Sequence, residues 1–189
     1  MKKSSPQSPL HQGMMAIMIL GIAGCILFAL LHGILHADWL LSTAIAFGTT
    51  AYHILIRFLS PVLIYDIFRR RYNPDHPWFR PRCWETRLYR LLKVKSWKAH
   101  APAYDPSQFS FKRHSMEQIL QNMCHAEIIH ELNILLSFTS LFFAIPFGAL
   151  PVFLITALLA ALFDGIFVII QRYNRPRIAA LAKRSHNSL

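Results

Sequence analysis

The sequence predicts an all-α, polytopic membrane protein with four transmembrane helices and a cytoplasmic amphipathic helical segment. Two observations carry this. Of the 189 residues, 54% are hydrophobic and only 15% charged, against roughly 25% charged in a soluble domain. The charge is also segregated: none of the 20 Lys and Arg residues falls in 4–56 or 114–171. Long apolar stretches bounded by basic blocks are what several membrane crossings require. So much apolar surface must be buried that a disordered chain is excluded.

The elements follow in order within one membrane domain, 1–189. The first span is expected at 14–35. Lys2 and Lys3 followed by the apolar run 14–31 resemble a secretory leader. That run is longer than a leader's apolar region usually is, so the span is expected to be retained. The second span is expected at 39–65 and contains His53 and Arg57. A cytoplasmic and interfacial segment follows at 66–131. Within it Trp84, Leu88, Leu91 and Leu92 recur at helical spacing, with Arg90 and Lys93 on the other side. This suits a basic amphipathic helix lying on a membrane surface; a helix packed on its own domain would carry the same stripe. Ser115 and Gln118 form a capping-box pattern, so a helix should start there and can continue into the third span. The third and fourth spans are expected at 132–149 and 151–171. Pro146 and Pro151 punctuate the connection between them. Short links make each pair of spans an antiparallel hairpin.

The termini and the central segment hold every basic residue except Arg57. Both termini and the central segment are therefore expected on the cytoplasmic side. A net charge of +11 suits nucleic acid or a membrane surface. The basic blocks flank apolar spans and no nucleic-acid module is visible, so membrane lipids are the expected partner and nucleic acid is not. Cys25, Cys83 and Cys124 form neither a disulfide framework nor a CxxC motif.

The strongest chemical feature is a stripe of Met116, Leu120, Met123, Glu127, His130 and Ile134. Two polar groups interrupt it. Glu127 and His130 are three apart, so their side chains can meet on one helix face. A carboxylate beside an imidazole fixes its tautomer and raises its basicity, as a general base requires. A structural pair that orients helices has the same spacing. Di-iron bundles also use Glu-x-x-His, but they need a second copy and further carboxylates, so no metal is expected. His32 and His36 are four apart in a chain with 10 histidines, a pairing that arises by accident. His100 and Asp105 make an H-x4-D pattern of the kind glycerolipid acyltransferases use, which is also common by chance.

Charges within spans are candidate functional groups. Arg57 lies about 12 Å and Asp164 about 10 Å from the inner ends of their spans at the helical rise. These matched depths suggest an intramembrane pair; snorkelling of Arg57 alone is the alternative. The fourth span ends in Gln171-Arg172-Tyr173-Asn174-Arg175-Pro176-Arg177. Three arginines in six residues suit a phosphate-bearing ligand, or an ordinary positive-inside anchor.

The run QRYNRPR resembles the C-terminal signature of the bacterial glycosyl-4,4'-diaponeurosporenoate acyltransferase family. The segments Lys93-Val94-Lys95-Ser96-Trp97-Lys98 and Ala126-Glu127-Ile128-Ile129-His130 are similar to others of that family. Where the family commonly has an acidic-Thr pair and an Arg before Ala-Glu, this chain has Asn122, Met123 and His125. Where the family often has Trp after the His, it has Glu131.

The resemblance implies a bacterial inner-membrane enzyme that moves a fatty acyl group from a cytosolic thioester to a lipid-linked hydroxyl, a glycolipid being one such acceptor. It implies an acyl-CoA or acyl carrier protein as donor and no cofactor beyond that co-substrate. In this reading His130 is the base and Glu127 orients it. Arg172, Tyr173, Asn174, Arg175, Arg177, Lys95, Trp97 and Lys98 bind substrate, the three arginines holding donor phosphates. A non-enzymatic membrane subunit would use the same residues for packing and partner binding.

Overall fold

The computed structural model describes residues 8–68, 72–102 and 106–187. Among them the chain is helical, with no strand. The helices are α1 (Pro9–Leu35), α2 (Asp38–Phe68), α3 (Glu85–Leu91), α4 (Val94–Trp97), α5 (Met116–Thr139), α6 (Ala144–Phe147) and α7 (Leu150–Asn187). Four stretches are long and apolar enough to cross a membrane: Pro9–Leu35, Asp38–Ile64, Met116–Phe147 and Leu150–Arg184. The chain is thus an all-α polytopic membrane protein. Its outward surface suits lipid: Leu20, Ile34, Leu135 and Leu162 are each more than 60% exposed, which water would penalise and acyl chains do not.

Helix ends depart from the spans read in the sequence. The first helix starts at Pro9 rather than 14, because Ser8 caps it and accepts from the His11 amide at 3.3 Å. The third span is the far end of a longer helix. Ser115 and Gln118 cap α5 reciprocally, at 3.0 and 3.2 Å, and it runs unbroken to Thr139. The last helix passes 171 and ends at Asn187. Hydropathy marks where lipid ends, and a helix stops only where its backbone bonds do.

The described residues fall into two compact units. The first comprises 1–61 and 132–163. Its α1–α2 hairpin turns through two residues, with His36 in the left-handed region at φ 50°. His32, four residues earlier, closes the turn: its Nδ1 lies 3.0 Å from the Ala37 carbonyl. The two helices cross closely. A methyl group on Gly24 would come within 2.6 Å of the Phe47 ring, and one on Gly21 within 3.0 Å of Ala51 Cβ. Small residues allow such approach where no hydrophobic effect drives helices together. The Tyr52 hydroxyl donates to the Leu136 carbonyl at 3.0 Å and so ties α2 to α5.

The second unit comprises 62–131 and 164–189. Its core holds Phe79, Val94, Ile119, Leu120, Met123 and Cys124. Tyr72 is clipped to α5 by both backbone groups, its N–H to Gln121 Oε1 at 2.7 Å and its carbonyl to Gln121 Nε2 at 2.6 Å. Its hydroxyl meets His125 Nδ1 at 2.8 Å. The apolar stripe beside α3 is left uncovered: Trp84 is 51% and Leu91 79% exposed. An uncovered basic amphipathic helix suits a membrane surface better than a packed core.

Candidate active site

The second unit gathers most of the residues singled out in the sequence. Glu127 is wholly buried, on the α5 face that meets α7. Arg172 and Arg175 lie three apart on α7 and so share a face. Arg172 donates to Glu127 Oε1 at 2.7 Å, and Arg175 donates to Oε2. Each carboxylate oxygen thus receives its own guanidinium. Arg172 also bonds Glu85 Oε1 through Nε at 2.9 Å and Nη2 at 2.6 Å, and reaches the carbonyls of Trp78 and Arg80. Arg175 donates to the Phe79 carbonyl and lies over the Phe79 ring. Two carboxylates and two guanidiniums thereby pin α7 to α3, α5 and the 3-10 turn Pro77–Phe79. Pro176 has no N–H to offer the Arg172 carbonyl, so the helix ladder is interrupted within this network.

These contacts change two expectations. The hydrogen bond that spacing allows between Glu127 and His130 is not the one formed, because two guanidiniums satisfy the Glu127 carboxylate more strongly than one imidazole would. His130 takes a different carboxylate: its Nδ1 lies 2.8 Å from Asp164 Oδ1 on α7. Asp164 is fully buried, whereas the His130 side chain keeps 23% exposure. Phe167 stacks on the imidazole, with centroids 4.7 Å apart and planes 14° from parallel. With Nδ1 held by Asp164, Nε2 is the nitrogen available for proton transfer. The second change concerns Arg172 and Arg175. Both are held by buried acids and carbonyls, so neither is a ready phosphate ligand.

Beside Arg172, which also reaches it, Tyr173, Pro176 and Arg177 of the run line a cleft. Tyr173 and Arg177 line a cavity of about 650 Å³ with Glu85, Tyr89, Lys93 and Lys95. Arg177 stacks over the Tyr173 ring at 3.7 Å and donates to the Tyr173 carbonyl. Lys98 lies 4.7 Å from the same ring and donates to Asn174 Oδ1 at 2.6 Å. Burial, with Arg177 and Lys95 nearby, lowers the Lys98 ammonium below the usual lysine range. Trp97 serves the chain locally, its indole N–H donating to the Leu92 carbonyl at 2.8 Å. Tyr89 donates to Glu85 Oε2 at 2.8 Å; burial and that carboxylate hold its hydroxyl protonated, well above the usual tyrosine range.

Arg57 lies in the first unit, where it donates to the carbonyls of His53 and Ala160 and lies over the Phe163 ring at 5.5 Å. Of the H-x4-D pattern, His100 is exposed and Asp105 lies outside the described residues. Among the described residues, no three His, Cys, Asp or Glu side chains are grouped to hold a metal ion.

Glu85, Tyr89 and Trp78 were not singled out as polar site residues by the sequence. Trp78 donates its indole N–H to Glu131 Oε2 at 2.8 Å. The one available signal was Glu85 itself, an acid within the most basic part of the chain.

A sequence model of the glycosyl-4,4'-diaponeurosporenoate acyltransferase family matches residues 75–184, more than half of the chain. No curated protein and no solved structure matches it.

Proposed function

Given that the chain belongs to the glycosyl-4,4'-diaponeurosporenoate acyltransferase family, we propose that it moves a fatty acyl group from a cytosolic thioester to a hydroxyl of a lipid-linked sugar. The observation that carries the reading is the contact between His130 and Asp164. Asp164 orients the imidazole through Nδ1, and Glu127 acts indirectly by fixing Arg172 and Arg175 on α7. Nε2 of His130 takes the proton from the acceptor hydroxyl as its oxygen attacks the thioester carbonyl. The C–O bond forms, the C–S bond breaks, and the imidazolium returns the proton to the departing thiolate. Positioned proton transfer of this kind contributes roughly 10²–10⁴-fold. No cofactor beyond the thioester is required.

The Arg57–Asp164 pair belongs to the same proposal. Its mark would be that Arg57→Gln restores folded yield to Asp164→Asn, since removing both charges of a buried pair is often nearly neutral. Additive losses would count against it.

Purified protein in membrane lipid, given a labelled fatty acyl thioester and a glycolipid acceptor, should yield a labelled ester. A folded preparation that transfers no label from any thioester, while remaining bound to another membrane protein, would favour the subunit reading.

Orientation follows from the one-sided basic charge, with both termini and the central segment in the cytoplasm of a bacterial cell. Reporter fusions after Asp38 and Phe147 should report the periplasm, and one after Ser107 the cytoplasm. A periplasmic signal at Ser107 would overturn this topology.

A further inference from the structure

The cleft beside α7 holds more positive charge than its own acids balance. Glu85 is its carboxylate, already bonded to Arg172 and Tyr89. Arg90, Lys93, Lys95 and Arg177 also line it, and none of the four forms an ion pair with a carboxylate among the described residues. The chain presents two of these lysines in a built way. Val94 between them is wholly buried, and Lys93 adopts a left-handed conformation at φ 50°. A side chain other than glycine is strained in that conformation. At the edge of the cleft the charged form of Lys98 is disfavoured by burial first, and then by repulsion from Arg177 and Lys95. A bound polyanion would relieve this repulsion.

Size and reach narrow the ligand. A volume of about 650 Å³ falls within the roughly 300–1,000 Å³ of small-molecule sites. A carrier protein, by contrast, brings a broad acidic surface and a single phosphodiester. Arg177 in the cleft and Asp164 beside the candidate base lie on one helix, 13 residues apart, or about 20 Å at the helical rise. An extended pantetheine arm covers a comparable distance.

We propose that this cleft holds the phosphates of coenzyme A, the 3'-phosphate and the diphosphate together, so that the donor is an acyl-CoA. The inference rests on the acyl-transfer reading but concerns a different part of the molecule. Lys93, Lys95 and Arg177 contact the phosphates, and Tyr89 and Tyr173 form the wall between them and the pantetheine arm. Arg172 stays with Glu85 and Glu127 and fixes the floor.

Equilibrium binding on the full-length protein in detergent micelles tests this without turnover. Coenzyme A should bind, and 3'-dephospho-coenzyme A should bind more weakly. Lys93→Gln combined with Lys95→Gln should weaken coenzyme A roughly tenfold or more, the loss expected from charge-assisted contacts. Lys183→Gln, which alters an exposed lysine paired with Asp75 at 3.7 Å, should leave binding unchanged. His130→Ala should bind as the native protein does. Three results would overturn the proposal: equal coenzyme A affinity in the double variant, binding of holo-acyl carrier protein but not coenzyme A, or displacement of neither by the other with anionic phospholipid alone sensitive to the double variant. The two readings fail separately. Coenzyme A binding with no acyl transfer would remove the reaction and keep the cleft; transfer from acyl-CoA with KM unchanged in the double variant would do the reverse.

Discussion

His130→Ala is expected to cut acyl transfer by roughly 10²–10⁴-fold while the protein still inserts and folds. The imidazole is partly exposed and its removal leaves the Glu127 network intact. The cost to folding comes from Asp164, which loses its hydrogen-bonded partner on α5. Retained thermal stability with turnover lost is therefore the signature of a base. A packing role gives the opposite order: expression and detergent stability fall first, and the surviving molecules transfer acyl groups at the native rate. The experiment is a parallel measurement of folded yield and of turnover per folded molecule.

Glu127→Gln should behave in that opposite way. Glu127 is wholly buried and compensates two guanidiniums at once. The amide keeps the shape but removes the charge, so Arg175, itself 3% exposed, is left buried without that counter-charge. Breaking a buried ion pair from one side costs about 3–5 kcal/mol, which is a large part of the 5–15 kcal/mol that holds a typical domain together. Loss of folded yield, or a large drop in thermal midpoint, is expected, and Glu127→Ala should be worse because it adds a cavity. Normal stability combined with lost turnover would return Glu127 to the chemistry and remove the structural account.

The parts of this architecture that depend on local spacing were legible in the sequence. Ser115 and Gln118 announce the start of α5 because a capping box involves only four residues. The segregation of Lys and Arg marks the spans because lipid excludes charge wherever the chain crosses it. What spacing could not supply is partner choice across helices. Glu127 and His130 share a face, but each chooses its partners from α7, 34 to 48 residues away. Glu85 meets Arg172 across 87 residues, and nothing in either neighbourhood announces the other. The run QRYNRPR was visible as a cluster of arginines, yet its members divide into two roles. Arg172 and Arg175 are bonded to buried acids, Arg172 at the floor of the cleft, while Arg177, beyond Pro176, lines the cleft with no carboxylate partner among the described residues. That division follows from helical phase and from the proline, and it becomes evident only when α3 and α5 are in position.

The central claim is that Asp164 orients His130 for proton transfer. Its most direct test is turnover per folded molecule of Asp164→Asn, measured beside Asp164→Glu and at a fixed saturating donor concentration. An amide of the same size can hold the ring in place but favours the wrong tautomer and does not stabilise the imidazolium. The account predicts a fall in kcat of roughly 10²–10⁴-fold with coenzyme A affinity unchanged, and partial recovery in Asp164→Glu. Native turnover in well-folded Asp164→Asn would contradict it.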